Sequence, residues 1–168
     1  MENFTFMEQE IKQSLLIKRE EKIKIINRGK HELPFYKHTG DSGMDVRADL
    51  SEPVTLQPLE RKLIHTGIYV CLPDGYEIQV RPRSGLALKH GITVLNTPGT
   101  VDSKYRDEIG VILVNLSNEP YTVEDGERIA QFVLSSVDKV LEWEEVTEFT
   151  EEDLKEDRGG GYGHSGRF

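Results

Sequence analysis

YEIQVRPR, residues 76–83, alternates apolar and polar side chains. In an extended chain Tyr76, Ile78 and Val80 face one way, and Glu77, Gln79 and Arg81 the other. That pattern reads as a half-buried strand ending at Pro82. Outward from it lie more short runs of the same kind: KIKIINRG, TLQP, KLIHTGIYVCLP, GITVLN, EIGVILVNLS, YTVEDG and RIAQFVLSSV. PDG, TPG, SNEP and EDG punctuate them with turn residues. Many short strands at this spacing point to a mainly β sandwich, jelly roll or small barrel. The helical period shows only at the N-terminus, where Phe4, Met7, Ile11 and Leu15 are spaced three or four apart.

The chain has 168 residues, 36% hydrophobic and 30% charged, enough for one soluble domain with its own core. No run of 18 apolar residues offers a membrane span. The start, MENFTFMEQEIKQ, is acidic and polar where a signal peptide would be basic and then apolar. A single cysteine, Cys71, excludes an intrachain disulfide and a multi-cysteine metal site. Together these fit a reducing cytoplasm.

A net charge of −9 argues against bulk nucleic-acid binding. The charge is concentrated: residues 138–157 hold ten acids and two lysines. The rest is nearly neutral and contains Arg81, Arg83, Lys89, Arg106 and Arg128, so an anionic ligand stays open. The acidic stretch suits a solvated face, or an arm anchored by Val140, Leu141, Trp143, Val146 and Phe149, with a helical turn in TEEDLKED. Twenty extended residues reach roughly 60 Å, far enough to visit another subunit.

Three segments carry chemistry-bearing residues. In PRSGLALKHG, residues 82–91, Arg83 and Ser84 offer a guanidinium and a hydroxyl at the start of a possible helical turn, with Gly85 freeing the backbone. That suits a phosphate, and equally an ordinary strand-to-turn junction. A nucleophilic serine would need a G-x-S-x-G elbow, which is absent. In GITVLNTPGTVDSKYRDEIGV, residues 91–111, strand-like runs flank TPG and suggest a hairpin. Its fixed backbone groups could read the edge of a flat base, with Asn96 adding an amide and Gly99 allowing close approach. Asp102 suits a carboxylate that takes a proton from water, or a turn residue. Tyr105 suits a site, or core packing. Gly43 and Asp45 in GDSGMDVRA mark a turn into a strand, and Gln131 in GERIAQF is an amide among apolar neighbours. The tail RGGGYGHSGRF, residues 158–168, reads as a disordered end or as a glycine-rich anion lid with one aromatic ring.

Taken in order, SGMDVRA, RPRSGLALKHG, NTPGTVDSKYRDEI, GERIAQF and GGYGHSG resemble the five motifs of the trimeric deoxyuridine triphosphatase family, over about four-fifths of the chain. The resemblance implies a jelly-roll-like subunit and a homotrimer whose active sites are each assembled from three chains. It implies hydrolysis of dUTP to dUMP and pyrophosphate with Mg2+, which lowers dUTP and supplies dUMP for thymidylate synthesis. Asp102 matches the family's water-activating carboxylate, directed at the α-phosphorus. Tyr105 matches the tyrosine under the deoxyribose. Asn96, Gly99, Thr100, Val101 and the backbone near Gly110 match the uracil-reading hairpin. Arg83, Ser84 and Gly85 match the phosphate turn, Gln131 a phosphate-facing amide, and Asp45 a carboxylate that holds Mg2+ through water. Tyr162 stands where the family has a stacking phenylalanine; Gly163, His164 and Ser165 match the loop over the terminal phosphates.

The implied layout is an N-terminal helical extension over 1–21, a β core over 22–137, an acidic arm over 138–157 and a mobile lid over 158–168. The chain departs from the family in places. RGGGYG is one residue shorter between arginine and aromatic than R-G-x-G-G-F-G, so Arg158 either keeps its role through a tighter loop or stands where a glycine lies. Lys104 and Asp107 replace residues that are often acidic and glycine, respectively. The alternatives are a dCTP deaminase of similar fold and a nucleotide-switched regulator that uses the N-terminal helix.

Overall fold

The computed structural model describes residues 22–138 and 142–155. The expected helix over 1–21, Val140, Leu141 and the whole tail from Arg158 lie outside the described residues.

Residues 22–138 are mainly β, with a jelly-roll-like arrangement of short antiparallel strands. In chain order these are β1 (Lys24–Asn27), β2 (Met44–Arg47), β3 (Val54–Leu56), β4 (Arg61–Ile64), β5 (Ile68–Cys71) and β6 (Tyr76–Pro82). A seven-residue helix α1 (Ser84–His90) follows, then β7 (Ile92–Val94), β8 (Gly99–Val101), β9 (Val111–Asn115), β10 (Tyr121–Val123) and β11 (Arg128–Ser136). One sheet has the order β2-β11-β6-β8 and a second β4-β9-β7; β1 pairs β5, and β3 pairs β10. No helix of the described residues is long and apolar enough to cross a membrane.

The alternation in YEIQVRPR is realised in β6. Ile78 and Val80 are buried, while Glu77, Gln79 and Arg81 line the other face in a hydrogen-bonded row. β6 lies between β11 and β8, so its inner face meets Phe132 and Val101, and side chains of both sheets join in one core. Phe132, Ile92, Ile64 and Leu113 are all at most 1% exposed. Burying a side chain of this size contributes about 1.5–3 kcal/mol. One polar side chain sits among them at no loss: Asn115 donates to Leu56 O and Glu119 O, and its Oδ1 accepts from the Ser117 N–H and hydroxyl. Every strong group of the amide is matched, as burial demands.

Two expectations need correction. The runs flanking TPG do not form a hairpin with each other. β7 pairs β9 in one sheet, and β8 pairs β6 in the other. Both flanks carry buried valines, Val94 and Val101, and burying each on its own sheet makes the segment cross between sheets instead of folding back. KLIHTGIYVCLP is not one strand either. Gly67 (φ +69°) breaks it into β4 and β5; a Cβ at that position would stand 2.4 Å from the Gly29 nitrogen.

In residues 142–155, a single turn α2 (Glu151–Leu154) forms in TEEDLKED as expected. Thr150 caps it: its hydroxyl accepts from Asp153 N–H, while the Asp153 carboxylate accepts from Thr150 N–H. Trp143, Val146 and Phe149 are exposed.

Candidate active site

The motif residues gather into two groups, both built on the β2-β11-β6-β8 sheet. The first lies where β2, β11 and the end of β6 run side by side. Gln131 pairs with Asp45 on one side and Arg81 on the other, so their side chains share a face. Asp45 is the second residue of β2, not part of the preceding turn. Its Oδ1 accepts from Arg83 Nε at 3.0 Å and its Oδ2 from Arg128 at 3.0 Å. Arg83 also donates to the Arg128 carbonyl. A register shift between Arg128 and Ala130 marks a bulge, a common device for re-aiming side chains beside functional sites. Gln131 donates to Pro82 O at 3.3 Å. Gly43 permits its close approach, because a Cβ there would stand 2.6 Å from the Gln131 amide oxygen.

Asp45, Gly43, Gln131 and Arg128 border a cavity of about 320 Å³, together with Lys37 and His38. Each Asp45 oxygen accepts one guanidinium bond and retains further acceptor capacity, and the side chain is 32% exposed. That remaining capacity could accept from the waters of a hydrated divalent cation, which Mg2+ tends to keep. Ser84 and Gly85 are exposed in the first turn of α1, whose N-cap, Arg83, makes no side-chain capping bond.

The second group forms a pocket of about 180 Å³ between β6, β8 and the start of β9. Asn96, Gly99, Thr100, Val101, Tyr105 and Gly110 all line it. Val80, Ile109 and Ile112 complete its apolar walls. Tyr105 is 39% exposed and its hydroxyl donates to Glu108 O, so it faces the pocket rather than packing in the core. Asp102 follows β8 directly, between the lining residues Val101 and Tyr105; its carbonyl accepts the Tyr105 N–H and its side chain is exposed. Behind the pocket, burial pushes the Glu108 carboxyl up. Hydrogen bonds from Gly67 N–H, His65 and Thr66 N–H outweigh this and hold it below the ordinary glutamate value.

The two cavities share no lining residue. Three strand spacings, roughly 14 Å, separate β2 from β8 within the sheet. Arg158, Tyr162, Gly163, His164 and Ser165 lie outside the described residues. The part played by Arg128 was visible in sequence only as one more cation; its ion pair with Asp45 spans 83 positions. Lys37 and His38 belong to a segment without periodicity, which gave no signal.

His31, Asp49 and Asp125 form a further His/carboxylate cluster. Lys30 fills it: its ammonium binds Asp125, and its N–H binds Asp49. The Leu50 N–H, then His31 and Lys30, hold the Asp125 carboxyl well below the usual range. This is a structural clamp on the turn before β11.

The dUTPase family profile matches residues 29–166. A deoxyuridine 5'-triphosphate nucleotidohydrolase of Fusobacterium nucleatum is 56% identical over 145 residues, covering 86% of this chain and 97% of the relative. The enzyme of that name from Finegoldia magna is 52% identical over 145 residues, covering 86% and 99%. Among solved structures, a dUTPase point mutant of Staphylococcus bacteriophage 80alpha with dUpNHpp is 26% identical, with a TM-score of 0.75 over 87% of this chain and 99% of that one. A dUTPase from phage phi11 of S. aureus, described with a structural Mg(II) ion, shares the fold at 22% identity and a TM-score of 0.69, covering 77% and 99%.

Proposed function

Because the chain belongs to the dUTPase family, a family of dUTP-hydrolysing enzymes, we propose that it splits dUTP into dUMP and pyrophosphate by Asp102-assisted attack of water on the α-phosphorus. The observation that carries the assignment of residues is the 180 Å³ pocket, which gathers Asn96, Gly99, Thr100, Val101, Tyr105 and Gly110 beside Asp102. The pocket takes the uracil and the deoxyribose, with strand backbone reading the base edge. Cytosine reverses the donor and acceptor pattern at position 4 and would leave those buried groups unpaired.

Asp102 accepts the proton of the attacking water. The new bond joins the water oxygen to the α-phosphorus, and the bond from the α-phosphorus to the bridging oxygen breaks, releasing pyrophosphate. Phosphoryl transfer needs placement and charge neutralisation more than covalent help. Arg83, Ser84, Gly85 and Gln131 bind and orient the phosphates, and Asp45 would hold Mg2+ through water. The cation supplies neutralisation of the triphosphate charge when bound.

The site is shared among three chains of a homotrimer. The separation of the two cavities within one chain supports that reading, and so do the exposed Trp143, Val146 and Phe149 of the acidic arm. The arm would carry this chain's own tail, with Arg158, Tyr162, Gly163, His164 and Ser165, across to a neighbour, over the nucleotide bound there, as a lid that excludes water. The product serves thymidylate synthesis, and the enzyme works in the cytoplasm.

Hydrolysis in ¹⁸O-labelled water tests the point of attack. The label is expected in dUMP; label in pyrophosphate would overturn attack at the α-phosphorus. Tyr105 lines the pocket and is assigned the sugar preference: with the deoxyribose against its ring, a 2′-hydroxyl would clash. Tyr105→Ala is expected to lower the preference for dUTP over UTP by ~10-fold or more. An unchanged ratio of kcat/KM values would remove Tyr105 from that role.

A further inference from the structure

The geometry points to Glu108 as a positioning residue whose carboxylate latches the wall of the base pocket, Tyr105 to Gly110, onto the turn between β4 and β5. The inference rests on the reading that this pocket takes the base and sugar of the nucleotide.

One Glu108 carboxylate meets three consecutive residues. Its Oε1 accepts the N–H groups of Thr66 at 2.9 Å and Gly67 at 2.8 Å, and its Oε2 lies 2.9 Å from His65 Nδ1. The turn answers with two bonds of its own. The Thr66 hydroxyl, in a residue only 4% exposed, donates to Ile109 O at 2.6 Å, and Ile68 O accepts the Ile109 N–H at 2.8 Å. The turn is itself fixed, since Gly67 O accepts the Arg28 N–H at 2.8 Å and Gly67 leaves no room for a side chain against Gly29. The pocket wall therefore hangs from a rigid support at both Glu108 and Ile109.

This wall carries the groups that select the substrate. Ile109 and Gly110 line the pocket directly. Tyr105 is 39% exposed, so packing alone does not pin its ring; its hydroxyl is tethered to the Glu108 carbonyl at 2.8 Å. The segment from Lys104 to Gly110 forms no strand that would hold it otherwise. Releasing the carboxylate leaves the wall hanging from Ile109 alone and lets the Glu108 backbone, whose carbonyl tethers Tyr105, shift, which loosens the surface that separates a deoxyribose from a ribose. A misplacement of about 1 Å, even from a change far from the chemistry, can cost ~10²-fold in rate.

The test measures kcat and KM for dUTP and UTP, with melting temperature, on the full chain and its variants. Glu108→Ala is expected to raise KM for dUTP ~10-fold and to lower the dUTP-over-UTP ratio of kcat/KM by a similar factor. Glu108→Gln should recover most of both losses, because its amide oxygen still accepts from Thr66 and Gly67 while its NH2 can donate to a neutral His65. Thr66→Val, which cuts the bond to Ile109 from the opposite side, should reproduce the fall in ratio even where Glu108→Ala does not fold. Variants that melt earlier but keep the wild-type KM and ratio would overturn the latch and leave a plain structural contact. Wild-type protein with no preference for dUTP would overturn the functional reading, and the latch with it.

Discussion

The Asp102→Asn variant is expected to fold as the wild type does and to release pyrophosphate ~10²–10⁴-fold more slowly. The change swaps one oxygen for an NH2 of similar size. The Asp102 side chain is exposed, and the contact that shapes the turn, its carbonyl with the Tyr105 N–H, belongs to the backbone. Packing and pocket shape therefore persist. What disappears is the ability to take a proton from water as its oxygen closes on phosphorus. KM for dUTP should stay near the wild-type value, because the pocket and phosphate groups remain. Turnover within ~3-fold of wild type would show that water is activated elsewhere, since loss of a general base costs far more.

Phe132→Ala is expected to cost about 3–5 kcal/mol of stability. Phe132 is 1% exposed and lies in β11 opposite Met44 of β2 and Val80 of β6. Truncation loses the transfer energy of the ring and leaves a void that three hydrogen-bonded strands cannot close. Against a typical total of about 5–15 kcal/mol, that loss is large. It also loosens the strand whose preceding residue, Gln131, pairs with Asp45, so phosphate binding should weaken in parallel. Denaturant midpoints at equal protein concentration read the effect, since any subunit association adds to apparent stability. A shift worth less than ~1 kcal/mol would place the core elsewhere than at the β2-β11-β6 junction.

Period-two alternation exposed β6 in the sequence, and turn residues marked most strand ends. Both signals are local, which is why they could be read. The apolar run KLIHTGIYVCLP hid a break at Gly67, because the residues on either side are equally strand-like. The segment around TPG carries hairpin chemistry, but long-range burial of Val94 and Val101 in different sheets decides its path. The pocket residues from Asn96 to Gly110 were named in advance by motif resemblance and come together in space. Their walls, Val80, Ile109 and Ile112, were not, because an apolar strand residue looks alike whether it lines a core or a pocket. The pairing of Asp45 with Arg83 and Arg128, and the contact of Glu108 with residues 65–67, join positions far apart in the chain. No spacing rule reaches them.

The central claim is that this chain reads uracil and deoxyribose before cleaving a triphosphate. Pyrophosphate release with Mg2+ from dUTP, dCTP, dTTP and UTP, measured side by side, tests it most directly. Strong release from dUTP alone is the expected result. Equal release from all four nucleotides would contradict the base-reading pocket, and binding of dUTP without release would contradict hydrolysis itself.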